Sequence, residues 1–136
     1  MPQLLVVDDS PTIRRMVMAA LKVIPGVHFR EASSGLDAIE QMALATIDLM
    51  VLDLNMPDMH GLEVIRFLRS HPTYAQLPIL VLTTRGDEPM RREVMQAGGS
   101  YYLTKPFLPP ELAAAVQSLL VNGEPPSGHQ PAAGKK

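Results

Sequence analysis

Three short stretches of almost unbroken apolar residues punctuate the chain: residues 4–7 (LLVV), 49–52 (LMVL) and 79–82 (ILVL). A strand with one face in water alternates apolar and polar positions. An unbroken run suits a strand covered on both faces, as in a parallel sheet. Two further segments differ. In residues 27–32, apolar Val27 and Phe29 alternate with His28 and Arg30, and residues 100–104 carry Tyr101, Tyr102 and Leu103 between polar ends. Both read as edge strands. Between these segments the apolar period lengthens to that of a helix. The stripes are Ile13, Met16, Val17, Ala20, Leu21 and Ile24; Ala38, Ile39, Met42 and Ala43; Leu62, Ile65 and Leu68; a weaker Met90, Val94 and Ala97; and Leu112, Ala115, Val116 and Leu119. Strand and helix signals alternate five times, which predicts an α/β fold with a parallel sheet and helices on both faces.

The second and fifth strands have edge character, and the order 2-1-3-4-5 places both at the rims. Right-handed crossovers then distribute the helices to the two faces of a doubly wound sheet. The order reverses between strands one and three, and ligands of such sheets bind there, beyond the carboxyl ends.

Proline is abundant, 13 of 136 residues, and ten lie at or before position 110. Most fall at element boundaries. Pro11 and Pro89 suit helix starts, Pro25 ends the first helix, Pro57, Pro72, Pro78 and Pro106 lie in connections, and Pro109 and Pro110 precede the last helix. Beyond the last stripe the chain reads VNGEPPSGHQPAAGKK. Turn formers without an apolar stripe predict a flexible tail over residues 122–136 after one folded domain over residues 1–121.

Net charge is −2, from 12 basic and 14 acidic residues, without the basic excess of a nucleic-acid binder. No cysteine is present, which removes thiol nucleophiles, disulfides and thiolate metal sites and fits a cytoplasmic location. The first ten residues, MPQLLVVDDS, lack the basic start of a secretory signal, and no apolar run approaches the ~18–20 residues of a membrane span.

At the predicted carboxyl edge stand Asp8 and Asp9 after the first strand, Asp53 ending the third, Thr83 and Thr84 after the fourth, and Lys105 after the fifth. Three converging carboxylates repel one another unless a cation or a proton joins them. The ligands on offer are hard oxygens, which select Mg²⁺ or Mn²⁺. A carboxylate beside such a cation and a lysine suits phosphoryl transfer onto Asp53, with an acyl phosphate as product.

The set Asp8-Asp9, Asp53 within VLDLNMPDMHG, Thr83 within ILVLTT and Lys105-Pro106-Phe107 resembles the receiver domain of two-component response regulators, most of all the stand-alone chemotaxis type. The match runs from residue 3 to about residue 121. The resemblance implies a flavodoxin-like (βα)5 fold. It implies Asp53 as phosphoacceptor, Mg²⁺ held by Asp9, Asp53 and the Asn55 backbone carbonyl with Asp8 acting through water, and Lys105 on the phosphoryl group. Thr83 would be the switch hydroxyl, Tyr102 the switch aromatic, and the Lys105–Pro106 peptide cis. A histidine kinase or histidine phosphotransfer protein would dock near the first helix, at Arg14 and Met18. An effector protein would read the face made by helix four, strand five and helix five, including Met90, Arg91, Tyr102, Thr104 and Phe107. Thr84, where the family favours a small residue, and Arg85 depart from the usual pattern; Arg85 is expected to alter phosphoryl lifetime.

The expectation is therefore a phosphorylation-activated switch, monomeric or weakly dimeric, that catalyses only its own phosphorylation and dephosphorylation. Its variants are a phosphorelay carrier and the N-terminal receiver of a longer regulator. An aspartyl-phosphate hydrolase of the dehalogenase type fits poorly, because its nucleophile follows the first strand in a DxD motif and a cap domain is required. A flavin or nucleotide module fits worse, because the loop DDSPT is acidic and lacks glycines.

Overall fold

The computed structural model describes residues 1–125; the greater part of the predicted tail, residues 126–136, lies outside the described residues. Five parallel strands, β1 (Gln3–Val7), β2 (His28–Ala32), β3 (Leu49–Asp53), β4 (Ile79–Thr83) and β5 (Tyr101–Thr104), form one sheet in the order β2-β1-β3-β4-β5. The helices are α1 (Pro11–Leu21), α2 (Gly35–Leu44), α3 (Gly61–Arg69), α4 (Glu88–Ala97) and α5 (Pro109–Asn122). The predicted doubly wound fold is the observed one.

Period-two alternation explains why the central strands read as continuous apolar runs. Leu5, Val7, Met50, Leu52, Ile79 and Val81 face α2, α3 and α4, while Leu4, Val6, Leu49, Val51, Leu80 and Leu82 face α1 and α5. Both faces are dry, so neither set can be polar. Each fully buried leucine contributes about 2 kcal/mol from removal of apolar surface. β2 keeps a polar, solvated rim, as its alternation requires. β5 also lies at a rim, yet Tyr101, Tyr102 and Leu103 are buried because one face meets the α4 side and the other the α5 side.

Some local expectations shift. Met16 is exposed, whereas Met18 packs partly against the core, so the α1 stripe is rotated from the one read in the sequence. Ala43 faces solvent. Pro109 and Pro110 lie inside the first turn of α5 rather than before it, where a missing N–H loses no helical bond. A 3-10 turn at Pro72–Tyr74 fills the connection to β4. α4 ends at Gly98 (φ 115°), a left-handed position suited to glycine. Arg69 ties that end to α3, donating from Nε to the Gly98 carbonyl (3.0 Å) and from Nη1 to the Tyr74 carbonyl (2.9 Å).

Candidate functional site

Parallel strands in register bring their carboxyl ends to one edge. Val7 pairs with Leu52, Asp53 with Leu82, and Thr83 with Thr104. Asp8 and Asp9 leave β1 beside Asp53, and Lys105 leaves β5 with its N–H bonded to the Thr83 carbonyl at 2.7 Å. The order reversal between β1 and β3 opens the space between the Asp8-Asp9 turn and Asp53.

One carboxylate oxygen from each of Asp8, Asp9 and Asp53 lies within 4.8 Å of the others. Asp8 (3% exposed) and Asp53 (5%) are buried, while Asp9 reaches solvent. The Lys105 ammonium donates to Asp8 Oδ2 at 2.9 Å and to Asp53 Oδ1 at 3.1 Å. Burial raises the Asp53 pKa and the neighbouring Asp8 charge raises it further; Lys105 and the Asn55 backbone N–H offset only part of this. Burial alone would lower the Lys105 pKa. The hydrogen bond to Asp8 and the charges of Asp53 and Asp8 outweigh it, so Lys105 stays protonated above the ordinary lysine range. Three carboxylates face one ammonium, and the donor set is all oxygen. That excess of negative charge suits a divalent cation of the hard, oxygen-seeking kind.

The loop after Asp53 is folded tightly onto the strand end. Gly61 N–H bonds to the Leu54 carbonyl at 2.8 Å, and a Cβ at Gly61 would stand 2.8 Å from the Asp53 carbonyl oxygen. Asp58 accepts from the N–H groups of Gly35 (3.1 Å) and Leu36 (3.0 Å), locking this loop to the start of α2. Asn55 is exposed on it.

Thr83 is fully buried, and its Oγ1 accepts from the Arg85 N–H at 3.1 Å. The Arg85 guanidinium turns to Asp87 at the start of α4 (2.7 Å). Tyr102 lies inward, 3% exposed, and its hydroxyl has no hydrogen-bond partner among the described residues. The Lys105–Pro106 peptide is cis, as the resemblance implied. Thr84, Ile13, Met16, Lys105, Pro106 and Phe107 line an apolar cavity of about 260 Å³ beside the acidic cluster. A larger cleft of about 570 Å³ lies at the opposite edge, between the end of α2 and Pro78, far from the converging carboxylates.

The sequence-predicted residues Asp8, Asp9, Asp53, Thr83 and Lys105 thus share one edge, with Asn55 on the adjoining loop. The side chains read for partner contacts are engaged as follows. The Arg14 guanidinium bonds within the chain, to Glu31 (2.8 Å) and to the Asp8 carbonyl (2.6 Å), and Met18 is partly covered. Met16, at 48% exposure, is the accessible methionine beside the site. On the face read for an effector, Met90 and Tyr102 are buried, so Arg91 and Thr104 with half-buried Phe107 form its surface.

Three features escaped sequence reading. The direct Asp8–Lys105 ion pair joins residues 97 positions apart. The Arg14 clasp depends on the β1–β2 register. His60 caps α3 through Nδ1 accepting from Leu62 N–H (3.1 Å), while Glu63 accepts from His60 N–H (3.0 Å). A glutamate three residues after the cap was the available signal.

Residues 4–117 match the response regulator receiver domain family. The chain belongs to that family. Chemotaxis protein CheY1 of Helicobacter pylori is 34% identical over 119 residues, covering 87% of this chain and 96% of that protein. The cyclic di-GMP phosphodiesterase response regulator RpfG of Xanthomonas campestris is 36% identical over 118 residues, covering 86% of this chain and 31% of that protein, so the chain spans about a third of that relative's length. Among solved structures, chemotaxis response regulator CheY4 of Vibrio cholerae superposes with a TM-score of 0.81 at 35% identity, covering 88% of this chain and 99% of that one. Receiver domains are phosphorylation-activated signalling switches that work with histidine kinases and effectors in two-component systems. Among the described residues no helix is long and apolar enough to cross a membrane.

Proposed function

We propose that this chain accepts a phosphoryl group on Asp53 from a phosphohistidine, in the presence of Mg²⁺, and thereby changes a surface read by an effector protein. The observation that carries the reading is the geometry of Lys105, whose ammonium donates to Asp8 and Asp53 within a three-carboxylate cluster. An Asp53 carboxylate oxygen attacks phosphorus, the N–P bond breaks, and the imidazole leaves with a proton from solvent. Lys105 neutralises phosphoryl oxygens and keeps its charge throughout, consistent with its raised pKa. Asp9, Asp53 and the Asn55 carbonyl would hold the cation, with Asp8 acting through water. The cation supplies charge neutralisation of the phosphoryl oxygens. Thr83 hydroxyl, released from the Arg85 N–H, would follow the phosphoryl group, and Tyr102 would report the change to the α4–β5–α5 face.

The phosphodonor would approach over α1, where Met16 and the adjoining apolar cavity are accessible. Residues 1–121 would form the receiver unit, in the cytoplasm, monomeric or weakly dimeric. A second reading, the receiver part of a longer regulator, is supported by relatives such as response regulator MprA of Mycobacterium leprae, 53% of which is covered. A phosphorelay carrier would differ by returning the group rapidly to a histidine phosphotransfer protein.

The test is incubation with acetyl phosphate and Mg²⁺, read by intact mass. A labile adduct of one phosphoryl group is expected on the wild type and none on Asp53→Asn. No adduct on the wild type would overturn the reading.

A further inference from the structure

Asp9 poses a question that the acidic cluster itself does not answer. Its carboxylate is exposed, yet one of its oxygens stands within 4.8 Å of Asp8 and Asp53. Among the described residues no hydrogen bond reaches it, so the backbone must aim it. That backbone is pinned on both sides of Asp8. The Asp8 N–H bonds to the Ala32 carbonyl at 3.1 Å, and the Asp8 carbonyl, which shares its peptide plane with the Asp9 nitrogen, accepts from Arg14 Nη1 at 2.6 Å. Arg14 is held in turn. Its Nε donates to Glu31 Oε1 at 2.8 Å, its side chain is 14% exposed, and its own N–H bonds to the Ser10 carbonyl at 3.1 Å. Glu31 stands on β2 opposite Val6 of β1. One guanidinium therefore joins α1, β2 and the turn that carries two of the three carboxylates.

We propose that Arg14 is a positioning residue for the divalent cation: with Glu31 it fixes the Asp8–Asp9 peptide and so aims the Asp9 carboxylate at the cation. The inference rests on the cation reading above. A planar fork with donors at fixed angles can satisfy a carboxylate and a carbonyl together, which a lysine ammonium cannot do with the same rigidity. Partners of ligands that make no contact with the metal commonly change metal affinity by about 10–100-fold. The charge of Arg14 works the other way, since a nearby cation repels Mg²⁺. The two accounts thus predict opposite signs.

The experiment is calorimetric titration of the full chain with Mg²⁺, for wild type, Arg14→Met, Arg14→Lys and Glu31→Ala, with urea stability of each cation-free protein alongside. Positioning predicts affinity about tenfold weaker in Arg14→Met, weaker also in Arg14→Lys, which keeps the charge but loses the fork, and weakened less in Glu31→Ala, which frees the guanidinium from one anchor. Unchanged or tighter binding in Arg14→Met overturns the proposal, as does wild-type affinity in Arg14→Lys. If Arg14→Met fails to fold, Glu31→Ala decides, and wild-type affinity there overturns it. Variants that lose stability without losing affinity reduce Arg14 to a staple of the fold and also overturn it. A wild type that binds no Mg²⁺ and forms no acetyl phosphate adduct overturns the cation reading itself; a wild type that does both, with variants that match it, overturns only the role of Arg14.

Discussion

Replacing Lys105 with methionine keeps the aliphatic stem and deletes the ammonium that touches both buried carboxylates. At an effective dielectric of about 20, unit charges at these separations of 2.9 and 3.1 Å attract by roughly 5–6 kcal/mol each. The two carboxylates, at most 4.8 Å apart, repel by at least about 3 kcal/mol. The attraction is gross, because folding also strips water from all three groups. Losing one partner of a buried pair costs a net of about 3–5 kcal/mol, since the remaining charge is left uncompensated. Against a typical total stability of about 5–15 kcal/mol, that loss is easily seen. The chain has no tryptophan, so far-UV circular dichroism in urea is the suitable probe. In EDTA, Lys105→Met should lose about 3–5 kcal/mol with little change in m. Mg²⁺ at a hundred times its dissociation constant adds about 2.7 kcal/mol to any protein that binds it only when folded. The variant, freed from competition with the ammonium, should reach that saturation at lower Mg²⁺ than the wild type. Adding Asp53→Asn should recover part of the loss, giving a coupling above about 1 kcal/mol. A variant within about 1 kcal/mol of wild type in EDTA would refute the argument that these carboxylates depend on Lys105 for compensation.

Three further outcomes follow from the same geometry. Gly61→Ala places a Cβ 2.8 Å from the Asp53 carbonyl oxygen and the Leu54 Cα; because backbone must shift, it should cost about 1–3 kcal/mol in urea unfolding, and a gain in stability would contradict the packing. His60→Ala should cost about 1 kcal/mol through loss of the α3 cap, while His60→Asp, a stronger capping type, should stay close to wild type; equal melting of all three would show that Glu63 alone sustains the cap. Burial, with a smaller contribution from Glu111, pushes the Tyr101 pKa from 10.0 up to about 12. Its folded pKa lies above its unfolded one, so its share of stability is intact below pH 10 and is lost as pH rises towards about 12. Tyr101→Phe should flatten the fall of the urea midpoint in that window, and an unchanged slope would exclude the tyrosine as its source.

Much of the fold was legible because burial on both faces writes itself into a strand as an unbroken apolar run. Residues 4–7, 49–52 and 79–82 could hardly be anything but central strands of a two-faced sheet, and the polar alternation around His28 and Arg30 marked a rim. Prolines and glycines punctuated the rest. Helix faces were less secure. On α1 the apolar residues outnumber the positions the sheet can cover, so Met16 and Met18 exchanged places relative to the simplest stripe.

The residue types of the site were legible for the same reason of topology, since a chemical group at the end of each parallel strand must arrive at one edge. What the sequence by itself determined was this convergence of Asp8, Asp9, Asp53, Thr83 and Lys105. Only the tertiary structure decided how their charges are apportioned. Lys105 divides its ammonium between Asp8 and Asp53, Arg14 turns inward to hold the Asp8 carbonyl, and Arg85 turns away to Asp87. Those choices depend on strand register and on angles of a few hydrogen bonds between residues up to 97 positions apart. No local pattern encodes them, because the preference of a long cationic side chain among several oxygens is settled by distances that exist only once the sheet has formed.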